Sequence, residues 1–156
     1  MKTILILVGK TNNANIEACL ADYVSRIGHY MPFDVVIVPE PRTTRSMSEA
    51  VQKAFEGENI LKLLQPSDLV VLLDSEGLSL NSVQLARWLE KKRQTSRRLV
   101  FIIGGPYGFD KPIYDRADEM LSLSPMTFSH QLVRLIFAEQ LYRACTIIKG
   151  EPYHHA

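Results

Sequence analysis

Cysteine is scarce in this sequence, where Cys19 and Cys145 are the only two. Both lie in apolar stretches of helical character, and neither has the Cys-x-x-Cys or Cys/His spacing of a metal or redox centre. The sequence therefore predicts no metal site. Such sparse use of cysteine favours a reducing, cytoplasmic setting.

Long apolar runs and an excess of either charge are also missing. No stretch reaches the roughly 18 continuous apolar residues that a membrane span needs, and the apolar part of MKTILILVGK is too short for a signal peptide. Eighteen basic residues stand against seventeen acidic ones, so the net charge gives no overall indication of a nucleic-acid partner. The 156 residues, 46% of them hydrophobic, suffice for one core, and we expect a single domain over 1–156.

Four short apolar runs predict a parallel sheet, because they do not alternate between apolar and polar residues. These runs are Ile4–Val8, Val35–Val38, Leu69–Leu73 and Val100–Ile103. Helices are predicted between them, the last two behind Ser or Asn caps, over residues 15–27, 48–64 and 82–93. The regular exchange of strands and helices predicts an α/β fold, with a mostly parallel sheet covered by helices on both faces.

A long C-terminal helix is predicted from His130 to Ile148, with Ser129 as its cap and Gly150 and Pro152 after its end. Its apolar residues go most of the way around the helix, so it needs cover on nearly all sides. In a domain of this size the sheet covers one face only. We therefore predict a homodimer in which a second subunit covers the other face. A central helix buried within one subunit is the alternative.

The stretch FIIGGPYGF, residues 101–109, is a predicted strand that opens into a glycine-rich loop. The loop has neither the GxGxxG spacing nor the following Lys-Ser/Thr of phosphate-binding loops. Glycine lacks the β-carbon that would keep a ligand away from the backbone, so this loop suits a flat or uncharged ligand. A plain tight turn is the alternative.

Asp74 and Glu76 follow the third predicted strand, at the edge of an open α/β sheet where ligands bind. Carboxylates at this position can act as bases or accept hydrogen bonds from a ribose. They can also do no more than form a turn, and the sequence leaves these roles open.

Two groups of basic residues are candidates for contact with phosphate. KKRQTSRR, residues 91–98, carries five cations, to which Arg42 and Arg45 could add. The alternative is a solvated helix end, because cations near a helix C-terminus are favourable in their own right. Arg134 and Arg143 lie on the otherwise apolar last helix, where an unpaired guanidinium is costly. Each is expected to meet an acid, a ligand or water.

Six stretches of the sequence occur together and in this order in one group of enzymes. They are MKTILILVGK (1–10), MPFDVVIVP (31–39), LDSEG (73–77), FIIGGPYG (101–108), LSLSPMTFSHQLVRLIFAEQLYRA (121–144) and GEPYHH (150–155). Over its whole length the chain resembles the SPOUT-class methyltransferases and, within them, the ribosomal RNA large-subunit methyltransferase H family. Two positions depart from that family: Ser129 stands where proline is usual, and the chain ends in HHA instead of His followed by a basic residue.

The resemblance implies an S-adenosylmethionine-dependent methyltransferase with a C-terminal trefoil knot. It implies a homodimer that methylates N3 of a pseudouridine in helix 69 of the large-subunit (23S) ribosomal RNA. The near-zero net charge predicts weak binding of naked RNA, so we expect the substrate to be the assembled ribosome. Backbone groups of three loops would hold the cofactor. The implied cofactor residues are Leu73, Gly105, Ser124, Pro125, Met126, Thr127, Phe128 and Ser129.

Methylation of N3 requires the loss of its proton, and histidine, with an ordinary pKa of about 6.5, suits the role of base. The predicted catalytic residues are His154, Tyr153 and Arg143, in the same subunit as the cofactor or across the dimer. The predicted contacts to RNA are His130, Arg134 and His155. The main alternative is a non-catalytic α/β module that binds a nucleoside-like ligand. A flavodoxin-like protein is not favoured, because GKTNNAN replaces the hydroxyl-rich phosphate loop after the first strand.

Overall fold

The computed structural model describes residues 2–41, 46–95 and 97–155. The strands in these ranges are β1 (Thr3–Val8), β2 (Phe33–Val38), β3 (Leu69–Ser79), β4 (Leu99–Ile103) and β5 (Glu119–Ser122). The helices are α1 (Ala14–Ile27), α2 (Glu49–Leu61), α3 (Ser82–Arg93), α4 (Lys111–Arg116) and α5 (Leu132–Lys149). Among these helices none is long and apolar enough to cross a membrane.

The strands form one sheet in the order β2-β1-β4-β3-β5, and every neighbouring pair is parallel. The predicted parallel sheet is therefore confirmed. Parallel neighbours need crossover connections, and the helices between the strands provide them. Because all strands run the same way, their carboxyl ends meet along one edge.

Both faces of the sheet are covered, as predicted. Leu5 and Leu7 of β1 point to the face on which α1, α3 and α5 pack. Ile4 and Ile6 point to the opposite face, which α2 and α4 cover. Burial on both sides explains why the strand sequences do not alternate. The trefoil knot stays a prediction from the resemblance.

The predicted helix caps are present. Ser48 caps α2, and Asn81 forms a reciprocal capping box with Gln84 at the start of α3. The hydroxyl of Ser129 accepts a hydrogen bond from the Leu132 amide at 3.1 Å. One turn over residues 130–131 precedes α5, so the regular helix begins two residues later than predicted.

Strand β3 continues six residues beyond its predicted end at Leu73. Leu73 and Leu78 both pair with Leu121 of β5, which leaves residues 74–77 as a bulge. Gly77 permits this arrangement, since a β-carbon there would lie 2.6 Å from the carbonyl carbon of Met120. The residues after Leu73 are mostly polar, so apolar runs alone do not predict this extension.

Helix α5 is covered more completely within one subunit than predicted. Phe137, Leu141 and Cys145 are buried against the sheet, and α1 and α3 flank the helix. A second subunit is thus not needed to cover those sides. A stripe outside this packing remains, since Leu132 is 40% exposed and Leu135 and Ile136 are half-buried.

Candidate functional site

A cavity of about 470 Å³ lies at the carboxyl ends of β3 and β4. Its size is within the range of sites for small molecules. The walls are drawn from three segments, 73–75, 103–109 and 122–130, and Val133 of α5 completes them. A smaller cavity of about 310 Å³ adjoins it and shares Leu73, Ser122 and Leu123.

Seven of the eight residues predicted to hold a cofactor line the larger cavity. They are Leu73, Gly105, Ser124, Met126, Thr127, Phe128 and Ser129, and His130 lies beside them. Pro125 is in the same loop but does not line the cavity. The sequence reasoning missed Ser75, Ser122, Leu123 and Val133, which adjoin the predicted positions along the chain. Extending each predicted segment by a few residues would have found them.

The glycine loop lies directly against α2. A β-carbon at Gly105 would be 2.8 Å from a carboxylate oxygen of Glu56, whose side chain is buried. Burial raises the pKa of Glu56, and the hydrogen bond from Gln52 offsets this only in part. Gly108 has a φ of +79° and donates its amide to the Gly105 carbonyl at 3.1 Å. The loop is thus a tight turn that also presents main chain to the cavity.

The segment between β5 and α5 is held by its own serines. The hydroxyl of Ser122 donates to the Ser124 carbonyl at 3.1 Å, and the hydroxyl of Ser124 accepts from the Met126 amide at 2.9 Å. Side-chain bonds to nearby backbone fix loops in this way. With the cap at Ser129, they define the path of the segment along the cavity wall.

Asp74 is the acid that the bulge of β3 brings to the cavity. One carboxylate oxygen accepts from the Glu76 amide at 2.9 Å, and the other accepts from the hydroxyl of Tyr114 at 2.5 Å. Glu76 is exposed and does not line the cavity. The sequence left open whether these acids form a turn or belong to the site, and Asp74 does both.

Arg134 is fully buried and reaches the end of β1. Its guanidinium donates to the carbonyls of Val8 at 2.6 Å, Gly9 at 2.9 Å and His130 at 3.2 Å, and to the Thr11 hydroxyl at 3.0 Å. Burial lowers the pKa of Arg134. The expected contact between Arg134 and RNA does not fit this arrangement, because the side chain has no exposed surface and four of its five N–H donors are occupied. Arg134 instead fixes the start of α5 to the end of β1.

Gln131 strengthens the same connection. Its side-chain oxygen accepts from the Asn12 amide at 2.7 Å, and its side-chain nitrogen donates to the Lys10 carbonyl at 3.2 Å. The GKT stretch after β1 thus supports the segment that lines the cavity.

The C-terminal tail folds back along α5. Arg143 lies between Glu139, with which it forms an ion pair, and His154, whose Nδ1 is 3.2 Å from an Arg143 nitrogen. The hydroxyl of Tyr153 donates to Glu139 at 3.0 Å. Burial, the contact with the Tyr23 hydroxyl and the bond to Glu139 raise the pKa of Tyr153.

None of the tail residues Tyr153, His154 and His155 lines the cavity of its own subunit. Ten residues of helix separate Val133, at the cavity, from Arg143, at the tail. This is about 15 Å at the rise of an α-helix. The structure therefore brings Arg143, Tyr153 and His154 together, but away from the cavity in the same chain.

Residues 1–154 match the family model described as predicted SPOUT methyltransferase. The chain belongs to the SPOUT methyltransferase family. The predictions of a methyltransferase and of the family's α/β fold are thereby confirmed, and the non-catalytic binding module is not supported.

The curated relatives match nearly the whole chain. A protein of Bacteroides fragilis is 53% identical over 99% of both chains, and one of Porphyromonas gingivalis is 46% identical over the same share. A protein of Christiangramia forsetii is 49% identical over 97% of both chains. All three are named ribosomal RNA large subunit methyltransferase H.

A solved structure shares the fold of this SPOUT methyltransferase. The probable methyltransferase from Bordetella pertussis Tohama I aligns with a TM-score of 0.58, over 92% of this chain and 96% of that one. The two sequences are 13% identical, so the likeness concerns the fold alone.

The basic stretch 91–98 of this SPOUT methyltransferase lies at the opposite edge of the sheet from the cavity. Arg97 donates to the carbonyls of Ser67 and Asp68, and Arg98 pairs with the Asp68 carboxylate. Lys92 pairs with Glu119. Three of the five cations are thus engaged within the chain, which weakens both the phosphate patch and the solvated helix end as descriptions of this stretch. Arg42 and Arg45 lie outside the described residues.

Proposed function

We propose that this SPOUT methyltransferase transfers the methyl group of S-adenosylmethionine to N3 of a pseudouridine in helix 69 of the large-subunit (23S) ribosomal RNA. The reaction takes place in the cytoplasm on the assembled ribosome. The name shared by relatives 46% to 53% identical over almost the whole chain supports the RNA substrate. The cavity at the carboxyl ends of β3 and β4 is the observation that carries the proposal.

The chemistry of the cavity fits S-adenosylmethionine. Within the part of the chain that the structure describes, the lining holds no lysine or arginine, which a phosphate-bearing ligand would favour, and one carboxylate, that of Asp74. S-adenosylmethionine has no phosphate and carries a net positive charge. The glycine loop lets a flat ring approach the backbone closely. The residues proposed to hold the cofactor are Leu73, Gly105 and those of 124–129.

We propose a homodimer in which the tail of one subunit completes the cavity of the other. The stripe of Leu132, Leu135 and Ile136 leaves apolar surface uncovered next to the cavity. In a two-fold interface the same patch meets itself. We place the two-fold axis perpendicular to α5, so that the two α5 helices pack antiparallel and the end of one lies beside the start of the other. This brings the partner's Tyr153 and the partner's His154 toward the cavity, whereas within one subunit these residues lie beside Arg143, about 15 Å along α5 from Val133.

Bound S-adenosylmethionine supplies an electrophilic methyl group. The main task of the protein is to hold N3 of the pseudouridine in line with that methyl group. Such positioning can lower the activation barrier by up to about 7 to 11 kcal/mol. His154 accepts the proton of N3. Arg143 holds this histidine in the resting tail. Tyr153 closes over the nucleotide together with His154, and His130 and His155 contact the RNA.

His154 has to leave Arg143 before it acts as a base. Arginine only donates hydrogen bonds, so Nδ1 of His154 is the acceptor in their contact. The neutral ring then carries its proton on Nε2, so neither ring nitrogen is available to accept the proton of N3. Movement of the tail onto the cavity of the other subunit would release Nδ1.

The test incubates the protein and labelled S-adenosylmethionine with ribosomes that lack the modification, then maps the labelled nucleotide. We expect one labelled pseudouridine in helix 69, and far slower labelling of protein-free RNA. Label at another nucleotide would refute the substrate. Equal rates on free RNA and on ribosomes would refute the assembled particle as the substrate.

A further inference from the structure

Among the described residues that line the cavity, Asp74 is the only carboxylate, and there is no lysine or arginine. The carboxylate lies at the end of the regular part of β3, where the bulge begins. Any charged group bound in the cavity therefore shares it with one fixed negative charge.

Two donors hold this carboxylate in place. The Glu76 amide donates to one oxygen, and the Tyr114 hydroxyl donates to the other. The ring of Tyr114 packs edge-on against Phe109 of the glycine loop, with ring centroids 5.8 Å apart. Burial and the bond to Asp74 raise the pKa of Tyr114 to about 12, so the hydroxyl remains a donor at neutral pH.

We infer that Asp74, held by Tyr114, makes the site favour S-adenosylmethionine over S-adenosylhomocysteine, the product of methyl transfer. This inference rests on the proposed function. Transfer of the methyl group with its bonding electrons left on sulfur turns a sulfonium cation into a neutral thioether. The rest of the molecule is unchanged, so the two ligands differ at the site by one positive charge and one methyl group.

The size of the cavity sets the scale of the effect. A sphere of 470 Å³ is about 10 Å across, so a bound sulfonium lies within about that distance of Asp74. At the effective dielectric of a protein site, opposite charges at this separation attract by an amount equal to on the order of a tenfold change in affinity. The same difference favours release of the product once its sulfur is neutral.

The experiment measures the dissociation constants of both ligands by titration calorimetry. The proteins are the wild type, Asp74→Asn, Tyr114→Phe and a control, Asp115→Asn, which alters an exposed carboxylate of α4 that pairs with Lys111 outside the cavity. We expect the preference for S-adenosylmethionine to fall on the order of tenfold in Asp74→Asn and about threefold in Tyr114→Phe. The control keeps the wild-type ratio.

A ratio unchanged in Asp74→Asn would overturn the inference, even if both ligands bind more weakly, since a merely structural role weakens both alike. If Asp74→Asn does not fold, the ratio of Tyr114→Phe decides in the same way. In Asp74→Asn, the affinity for an analogue with a protonated amine in place of the sulfonium should fall in parallel with the affinity for S-adenosylmethionine. A wild type that binds neither ligand would refute the proposed function instead.

Discussion

Arg98 holds the buried carboxylate of Asp68 with two hydrogen bonds, from Nε to Oδ1 at 2.8 Å and from Nη2 to Oδ2 at 2.6 Å. The Gln65 amide adds a third at 2.7 Å. Burial alone would raise the pKa of Asp68, but these bonds outweigh it and hold the pKa below its usual value. The group joins the start of β3 to the segment before β4.

This ion pair makes the fold sensitive to acid. Because the pKa of Asp68 is lower in the folded chain, its contribution to stability is complete above the unfolded-state pKa of about 3.9. It is lost as the pH falls through the lower folded-state value. Asp68→Asn should lower the free energy of unfolding by about 2 to 4 kcal/mol at pH 7, and by less at pH 3. Urea unfolding at both values tests this, with the exposed Asp34→Asn as a control. An equal loss of unfolding free energy at both pH values would show that the charge of the Asp68 carboxylate does not stabilise the fold.

Gly77→Ala should destabilise the fold. The added β-carbon would lie 2.6 to 2.7 Å from backbone atoms of Met120 and Leu121, which cannot move without shifting β5. We expect a loss of about 1 to 3 kcal/mol in urea unfolding. Gly28→Ala is the matched control, since its nearest neighbour would be 3.3 Å away. If the two variants were equally stable, close approach would not be why glycine stands at residue 77.

Arg134→Met should both destabilise the chain and loosen the cavity. The carbonyls of Val8 and Gly9 lose a buried donor, at a cost of about 2 to 4 kcal/mol. The segment around His130 loses its connection to β1, so the affinity for S-adenosylmethionine should fall as well. Urea unfolding and calorimetry measure the two effects, and the exposed Arg87→Met serves as the control. Normal stability in Arg134→Met would show that the four hydrogen bonds contribute little.

His154→Ala should lower turnover far more than cofactor affinity. Loss of a general base typically costs about a hundredfold to ten-thousandfold in rate, whereas the residues proposed to hold the cofactor are intact. The comparison requires a methylation assay and calorimetry on the same preparations, with the exposed His29→Ala as control. Comparable losses in both measurements would reject His154 as the base, and an active chain truncated after Gly150 would show the whole tail to be dispensable.

Mixed dimers separate action within a subunit from action across the interface. Gly105→Val pushes the glycine loop away from Glu56 of α2 and so distorts the cavity wall, and His154→Ala removes the proton acceptor, so each variant alone should be inactive. If the tail acts across the interface, an equal mixture regains about one quarter of the wild-type sites, because half of the dimers hold one intact site. If it acts within its own subunit, activity stays absent. Activity is measured after subunit exchange on the same ribosomes.

The sequence predicted the sheet because burial on both faces leaves a direct trace, namely apolar runs such as Val100–Ile103 without alternation. It could not predict the extension of β3, since Leu78 and Ser79 owe their strand geometry to pairing with β5 across the bulge at 74–77. The role of Arg134 was also out of reach. Its partners are carbonyls near residue 8, and a main-chain acceptor leaves no mark on residue type. The loops of the cavity were predicted from the family resemblance, because backbone contacts require few particular side chains.

Because hydrogen bonds from Arg134 to the end of β1 fix one wall of the cavity, the site can form only after residue 134 has been synthesised. The walls of the cavity span residues 73 to 133, and the residue that fixes the last wall follows at 134. A growing polypeptide therefore acquires its ligand-binding capacity only when most of its length has emerged from the translating particle. The cavity of each new chain is thus completed beside the class of machine on which we propose the enzyme to act.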